Sequence, residues 1–310
     1  MRIAYSPYEL RKSLDRFRVG ALLRVIFDDG VIGYADCHPW PELGDLPIDQ
    51  QILKLQQKQP TSLGVRSLYF ARLDGEYRDK RQNILSEVKI PPSHWLITHL
   101  EHVDYQNKQF LEFNCFKVKI GGRLKTELQH LKKLMHHFPS KDARFRLDFN
   151  EKLTPETFQQ FWESLGDFTE RVEYCEDPFP YHGEMWSHMQ KKYSVSFACD
   201  RQSQQAISHP GSANTLVIKP ALQDERLFVL AGQNQKLVVT SYLDHPFGQL
   251  CAAYVAATLP HHTISGLFSH TAYEINPFSA QLITEGTRLL PVEGTGFGFD
   301  SLLEQLIWTD

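Results

Sequence analysis

The sequence predicts an α/β chain in two parts, a small α+β capping unit followed by a (β/α)8-type barrel, a modified TIM barrel. Three observations predict it. Strand-like segments recur at 94–99, 115–120, 144–149, 172–176, 196–200, 215–219, 236–242 and 262–267, with helical patterns between most of them. The residues before them lack that rhythm and read as antiparallel strands and then helices. The length of 310 residues also exceeds what one small core needs. We expect the capping unit at 1–92, the barrel at 93–285, and the tail 286–310 packing back on the capping unit.

In the first unit, Val19–Phe27 and Val31–Cys37 are apolar-rich runs joined by Asp28-Asp29-Gly30, a hairpin signal. A Pro-rich loop, His38 to Gly44, follows. Residues 48–59 and 62–72 then look helical. In the barrel, Leu128, Leu131, Met135 and Phe138 share one face at helical spacing. Thr154 and Pro155 make a good helix start, with Thr at the cap and Pro at the first helical position.

Composition excludes several classes of function. Hydrophobic residues make up 42% and charged residues 23%, both ordinary for a globular protein. A net charge of −4 offers no basic surface, so no nucleic-acid partner is expected. No apolar run reaches the roughly 18 residues of a membrane span, so no membrane partner is expected. The stretch MRIAYSPYELRKSL lacks the apolar core of a secretory signal, and a cytoplasmic address is the expectation. The pattern is compatible with a monomer but fixes no oligomeric state. Five cysteines, an odd number without metal-ligand spacing, read as small buried core residues.

The chemistry lies in charges at strand ends. CFKVKIGG carries Lys117 and Lys119, RFRLDFN carries Arg146, Asp148 and Asn150, EYCEDP carries Glu176, SFACD ends in Asp200, and TLVIKP carries Lys219. Residues two apart in a strand share a face. Lys117 and Lys119 therefore point together, as do Arg146, Asp148 and Asn150, opposite Phe145, Leu147 and Phe149. The apolar face meets the surrounding helices, so the charged face looks into the barrel. Polar residues at the C-terminal ends of barrel strands mark the functional mouth.

Asp148, Glu176 and Asp200 come from consecutive strands. Two carboxylates about 4 Å apart repel by roughly 4 kcal/mol at an effective dielectric of 20, so three in one pocket call for a cation. Oxygen ligands suit Mg²⁺ better than Zn²⁺. Lys119 and Lys219, on the second and sixth strands, face each other across the mouth, one amine on each side of a small-molecule substrate. A lysine is a poor base at neutral pH until a neighbouring ammonium such as Lys117, a metal or burial lowers its pKa. A purely structural pairing of the lysines with acids is one alternative, and a Schiff-base lysine at the sixth strand is another. Trp40 is a candidate for a capping loop over the mouth, or for packing between the two units. Arg146, below Asp148, is expected to orient the metal carboxylates. His136-His137 and His261-His262 read as solvated helix ends.

As an ordered set, Lys117-Val-Lys119, Asp148-Phe-Asn150, Glu176-Asp-Pro178, Asp200 and Ile218-Lys219-Pro220 resemble the enolase superfamily in its muconate-lactonizing subgroup. The resemblance covers most of the chain. It implies a Lys base and Mg²⁺ stabilising an ene-diolate formed from a carboxylate substrate. Within the subgroup the short chain, RLDFN and the loop GYADCHPWPELGD at 33–45 look most like members that dehydrate a succinyl-hydroxycyclohexadiene carboxylate to o-succinylbenzoate for menaquinone biosynthesis. That would make the chain a hydro-lyase. Thr240 and Ser241 stand where the family has a serine-rich strand end that contacts substrate, and Gly266 lies at the end of the eighth strand segment. Two departures bear on substrate identity: Arg201 follows Asp200, and Tyr242 and His245 replace small residues. Racemases of N-acylated amino acids and dipeptide epimerases share the lysines and ligands, and a metal-binding barrel without catalysis is the non-enzymatic alternative.

Overall fold

The computed structural model describes residues 1–13, 16–209, 211–231, 235–260 and 263–310. His261-His262 lies outside the described residues. His136 and His137 are exposed in the last turn of their helix.

The chain opens with a three-stranded antiparallel sheet: β1 (Arg2–Ser13), β2 (Arg16–Ile26) and β3 (Ile32–Cys37), in that order. β2 and β3 match the two apolar runs. β1 is an addition to the sequence reading. Ile3, Ala4 and Leu10 are its buried contribution, and Tyr5-Ser-Pro-Tyr-Glu9 between them interrupts the apolar pattern that would mark a strand. The helices α1 (Ile48–Gln56) and α2 (Ser62–Asp79) follow. Thr61 caps α2 by accepting from the Gly64 amide. α2 lies close against β3, where a Cβ on Gly33 would sit 1.8 Å from the Ala71 carbonyl oxygen. Only glycine permits that approach.

The second part alternates β4 (Trp95–Ile97), β5 (Cys115–Lys119), α3 (Leu124–His137), β6 (Arg144–Asp148), α4 (Pro155–Leu165), β7 (Val172–Glu176), α5 (Gly183–Tyr193), β8 (Phe197–Cys199), α6 (Ser203–Ile207), β9 (Thr215–Ile218), α7 (Glu225–Ala231), β10 (Lys236–Val239) and α8 (Pro246–Thr258). Strands β4 to β10 form one seven-stranded sheet whose pairs are all parallel. The eighth expected strand, 262–267, is not a laddered strand. Its described part makes one bridge to each edge, Ser265 to Ser93 and Gly266 to Thr240. Four backbone hydrogen bonds of 2.8 to 3.0 Å accompany those bridges and close the ring between β10 and β4. The seventh strand also ends three residues early, at Val239, because the chain turns there into the loop before α8.

Two cores result. Outside the barrel, Phe116, Phe145, Phe149, Phe158 and Phe197 are fully buried against the helices, with the Phe116 and Phe145 rings stacked at 5.5 Å. Inside, Tyr174, Ala198, Val217 and Val238 form a separate buried cluster that plugs the barrel below its charged layer. The cysteines are all buried and unpaired. Thr154 and Pro155 start α4 as expected, with Thr157 completing a reciprocal cap.

After the ring closes, β11 (Ile283–Glu285) and β12 (Arg288–Leu290) form a small hairpin, and α9 (Asp300–Gln305) ends the helices. The tail returns to the first sheet. Tyr5 and Thr309 exchange backbone hydrogen bonds of 2.8 and 2.9 Å, and the Trp308 ring meets Tyr34 at 5.4 Å. Arg78 of α2 binds Asp300, the Gly298 carbonyl and buried Asp74.

Candidate active site

Register brings the strand-end charges to one level. Lys119 pairs with Asp148 across β5 and β6, and Asp148 with Glu176 across β6 and β7. Asp200 and Lys219 follow the last residues of β8 and β9. β5 and β9 are four strands apart in a ring of seven laddered strands closed by the 263–267 segment, so Lys119 and Lys219 approach from opposite walls. Both line one cavity of about 160 Å³, together with Lys117, Asp148, Asn150 and Asp200.

The acids are held by lysines. Lys117 Nζ lies 2.5 Å from Glu176 Oε1 and 3.1 Å from Asp148 Oδ2. Lys119 Nζ donates to Asp148 Oδ2 at 3.0 Å, and Lys219 Nζ pairs with Asp200 Oδ2. Asn150 donates to the other Asp148 oxygen at 2.8 Å. Burial raises the pKa of the Asp148 carboxyl, but Lys117 and Lys119 win and hold it below the usual carboxylate range. Burial pushes Glu176 up to about 7 against the pull of Lys117. Burial also works against the Lys117 ammonium, and Asp148 and Glu176 more than offset it, so Lys117 stays charged.

The residues fit a hard divalent cation by the chemistry of the donor set. Asp148, Glu176 and Asp200 offer only oxygens, and Glu176 Oε2 is buried without a hydrogen-bond partner. Among the described residues, no three acidic, histidine or cysteine side chains are gathered tightly enough to hold an ion by themselves. Lys117 stands between the carboxylates instead.

Asp177, between Glu176 and Pro178, was not singled out in the sequence. It adopts a left-handed φ of 41° and its carboxylate accepts from the Asp200 and Arg201 amides, both at 3.1 Å. It thereby fixes the backbone that presents Asp200. Arg201, the departure beside Asp200, makes a 3.8 Å ion pair with Glu151.

Arg146 differs from expectation. It is fully buried one layer down, where it donates to Glu173 at 2.7 Å, to His94 Nδ1 at 2.9 Å and to the Ile264 carbonyl at 2.8 Å. Its partners are thus the floor of the barrel and the closing segment, rather than the carboxylates above. His94, a cavity-lining residue missed in the sequence, accepts from Arg146, and burial and that guanidinium keep it neutral.

The remaining wall comes from loops. Thr240 and Ser241 are buried in the lining with unpartnered hydroxyls. Gly266 lines it too, and a Cβ there would meet Thr240 Cγ2 at 2.7 Å and His94 Cε1 at 2.8 Å. Trp40 reaches across from the capping unit: its ring lines the cavity and its Nε1 donates to the Tyr242 carbonyl at 2.9 Å. This contact packs Trp40 between the two units, the second of the two expectations for it. Tyr242 itself donates to Asp45 at 3.0 Å, and its ring lies 5.7 Å from Lys219 Nζ.

A small capping sheet with two helices ahead of a parallel barrel, and opposed lysines among strand-end acids, define a class of proteins. Solved structures with this fold match over nearly the whole chain. A mandelate racemase/muconate lactonizing enzyme from Roseiflexus sp. superposes with a TM-score of 0.81 at 17% identity, covering 96% of this chain and 97% of that one. Muconate lactonizing enzyme from Pseudomonas putida gives 0.75 at 18% identity, covering 96% and 95%. A dipeptide epimerase from Enterococcus faecalis gives 0.77 at 15%, covering 96% and 98%. At these identities the likeness is one of fold. A family profile for the N-terminal domain of O-succinylbenzoate synthase matches residues 3–77. The o-succinylbenzoate synthase of Bdellovibrio bacteriovorus is 35% identical over 335 aligned positions, spanning 99% of this chain and 98% of that one. This chain belongs to the o-succinylbenzoate synthase family.

Proposed function

We propose that the protein is a hydro-lyase that converts a succinyl-hydroxycyclohexadiene carboxylate to o-succinylbenzoate, the step expected in menaquinone biosynthesis. The observation that carries this reading is the pair of lysines, Lys119 and Lys219, on opposite walls of one carboxylate-bearing cavity, in a chain 35% identical throughout to a synthase of that product.

Asp148, Glu176 and Asp200 would hold Mg²⁺. When bound, the ion offsets the negative charge that builds on the substrate carboxylate. Lys119, in its neutral form, takes the proton from the carbon next to that carboxylate, and the electron pair moves into the carboxylate to give an ene-diolate. Lys219, as an ammonium on the opposite face, stabilises that charge. The pair then returns to form the ring double bond as hydroxide leaves. Lys119 gives its proton to the hydroxide, so water departs and the lysine is neutral again. Lys117 stays protonated and neutralises Asp148 and Glu176. Asn150 orients Asp148, and the Thr240 and Ser241 hydroxyls serve as donors to substrate.

The test is conversion of the diene, followed by product absorbance, with N-succinyl amino acids as controls. Activity should vanish on chelation and return with Mg²⁺. Lys119→Ala should lower turnover by at least about 10³-fold, within the range for losing a positioned base. An active Lys119→Ala variant would overturn the assignment. Lys219→Arg that still exchanges the α-proton without inverting its centre fits dehydration. Turnover of the N-succinyl amino acids alone would instead favour a racemase in which Lys219 delivers the second proton.

A further inference from the structure

The proposed substrate carries two carboxylates, one on the ring and one at the end of the succinyl tail. The strand-end acids and the cation they would hold answer the first. The chemistry that meets the second lies in the capping unit, and this inference rests on the proposed function.

Lys12, near the end of β1, lies beside Trp40, a residue of the cavity lining, and Tyr273. Its Nζ lies 5.9 Å from the Trp40 ring centroid and 5.4 Å from that of Tyr273. Both rings are fastened to the cavity wall, Trp40 Nε1 to the Tyr242 carbonyl at 2.9 Å and the Tyr273 hydroxyl to the Leu243 carbonyl at 2.6 Å. Tyr242 and Leu243 line the cavity. Two aromatic rings thus bracket one ammonium.

Among the described residues, the charge around Lys12 is mostly positive. Arg18 stacks on Trp40, its guanidinium carbon 4.0 Å from the ring centroid. Lys12 is exposed, and partial desolvation of its ammonium, then Arg18, Lys119 and Arg16, disfavour its charged form, with Glu42 the smallest and opposing influence. Glu42 is itself engaged by Arg18. Among the described residues, Lys12 makes no ion pair with a carboxylate. A cation set among cations gains most from an anion supplied from outside the protein.

We propose that Lys12, backed by Arg18, binds the tail carboxylate of the substrate and selects for a dianionic ligand. The ring carboxylate lies toward the acids and the tail then runs up past Trp40 to the capping sheet.

The experiment compares the dicarboxylate diene with the same diene carrying its tail carboxyl as the methyl ester. It uses full-length wild type, Lys12→Met and Lys12→Arg. Wild type should prefer the dicarboxylate in kcat/KM. Lys12→Met should raise KM for the dicarboxylate about tenfold, the size of one charge-assisted contact, with kcat nearly unchanged. It should leave the ester unaffected, so the preference collapses, and Lys12→Arg should restore most of it. A Lys12→Met variant that keeps the wild-type preference overturns the inference and leaves the proposed function standing. Wild type that turns over neither diene overturns the function, and the inference with it.

Discussion

At the scale of single residues, the site is a layer of charges that neutralise one another before any ligand arrives. Lys117 is the pivot, since it touches both Asp148 and Glu176. Such a buried pair is costly to break from one side, because the survivor is left charged and alone. Gly266 is the opposite case, a residue defined by what it lacks. A methyl group there overlaps Thr240 and His94. Gly266→Ala is therefore expected to cost about 1–3 kcal/mol of stability, the range for overpacking a tight site, and to crowd the cavity. A thermal melt checks the first effect and KM for the diene the second. A variant as stable as wild type would mean that His94 moves aside freely.

At the scale of elements, β5 to β9 present their charges in order, and loops from two different sheets complete the wall. The loop after β3 meets the loop after β10 through Trp40, Tyr242 and Asp45. Trp40 Nε1 binds the Tyr242 carbonyl, and Asp45 accepts from both the Trp40 amide at 2.8 Å and the Tyr242 hydroxyl at 3.0 Å. Trp40→Phe keeps an apolar ring and removes one donor. We expect a loss of roughly 0.5–1.5 kcal/mol in substrate binding or lid closure. It should read as a KM rise of about threefold to tenfold with a smaller change in kcat. An unchanged KM would show that the indole nitrogen plays no part in closure.

The charges at strand ends were legible in the sequence because period two is rigid: once Phe145, Leu147 and Phe149 face the helices, Arg146 and Asp148 must face inward. Their partners were not legible. Arg146 meets Glu173, His94 and the Ile264 carbonyl, and two of those three come from segments distant in the chain. β1 escaped notice because Tyr5 to Glu9 breaks its apolar alternation, while its pairing with β2 holds it extended. The closing segment at 263–267 read as a strand, since single bridges and ladders leave the same local pattern.

At the scale of the whole molecule, the cap is joined to the barrel over two acids, half-buried Asp36 of β3 and buried Asp244 before α8. Gly248 lies between them, where a Cβ would be 2.5 Å from Asp36 Oδ2 and 2.9 Å from Asp244 Oδ2. The groups that face them are Tyr8, His38, His245 and Cys251. None supplies a positive charge: burial lowers both imidazoles to about 3. Burial pushes Asp244 from an ordinary 3.8 up to about 7, and raises Asp36 well above its usual value. Between those values the folded chain holds a proton that the unfolded chain has released. Stability therefore falls as pH rises from about 4 to about 7. Asp244→Asn removes that fall. Its melting temperature relative to wild type should improve between pH 5 and pH 8, by on the order of 2–4 °C for each kcal/mol relieved. A difference that is the same at both pH values would show that the acids carry no such proton.

The closure of the barrel shapes how its mouth can move. Most neighbouring strands are laddered, but among the described residues the last wall, 263–267, makes a single bridge on each side. Gly266 in that wall borders the reaction chamber, and Ile264 beside it anchors the arginine below. The hoop has one loose stave, and it is the stave against which a ligand would press. Shifting it gives up four backbone hydrogen bonds and the Arg146 donation to Ile264, whereas shifting β5 or β6 means unzipping longer ladders on both sides. Room for a bulkier guest is therefore cheapest to make on that flank.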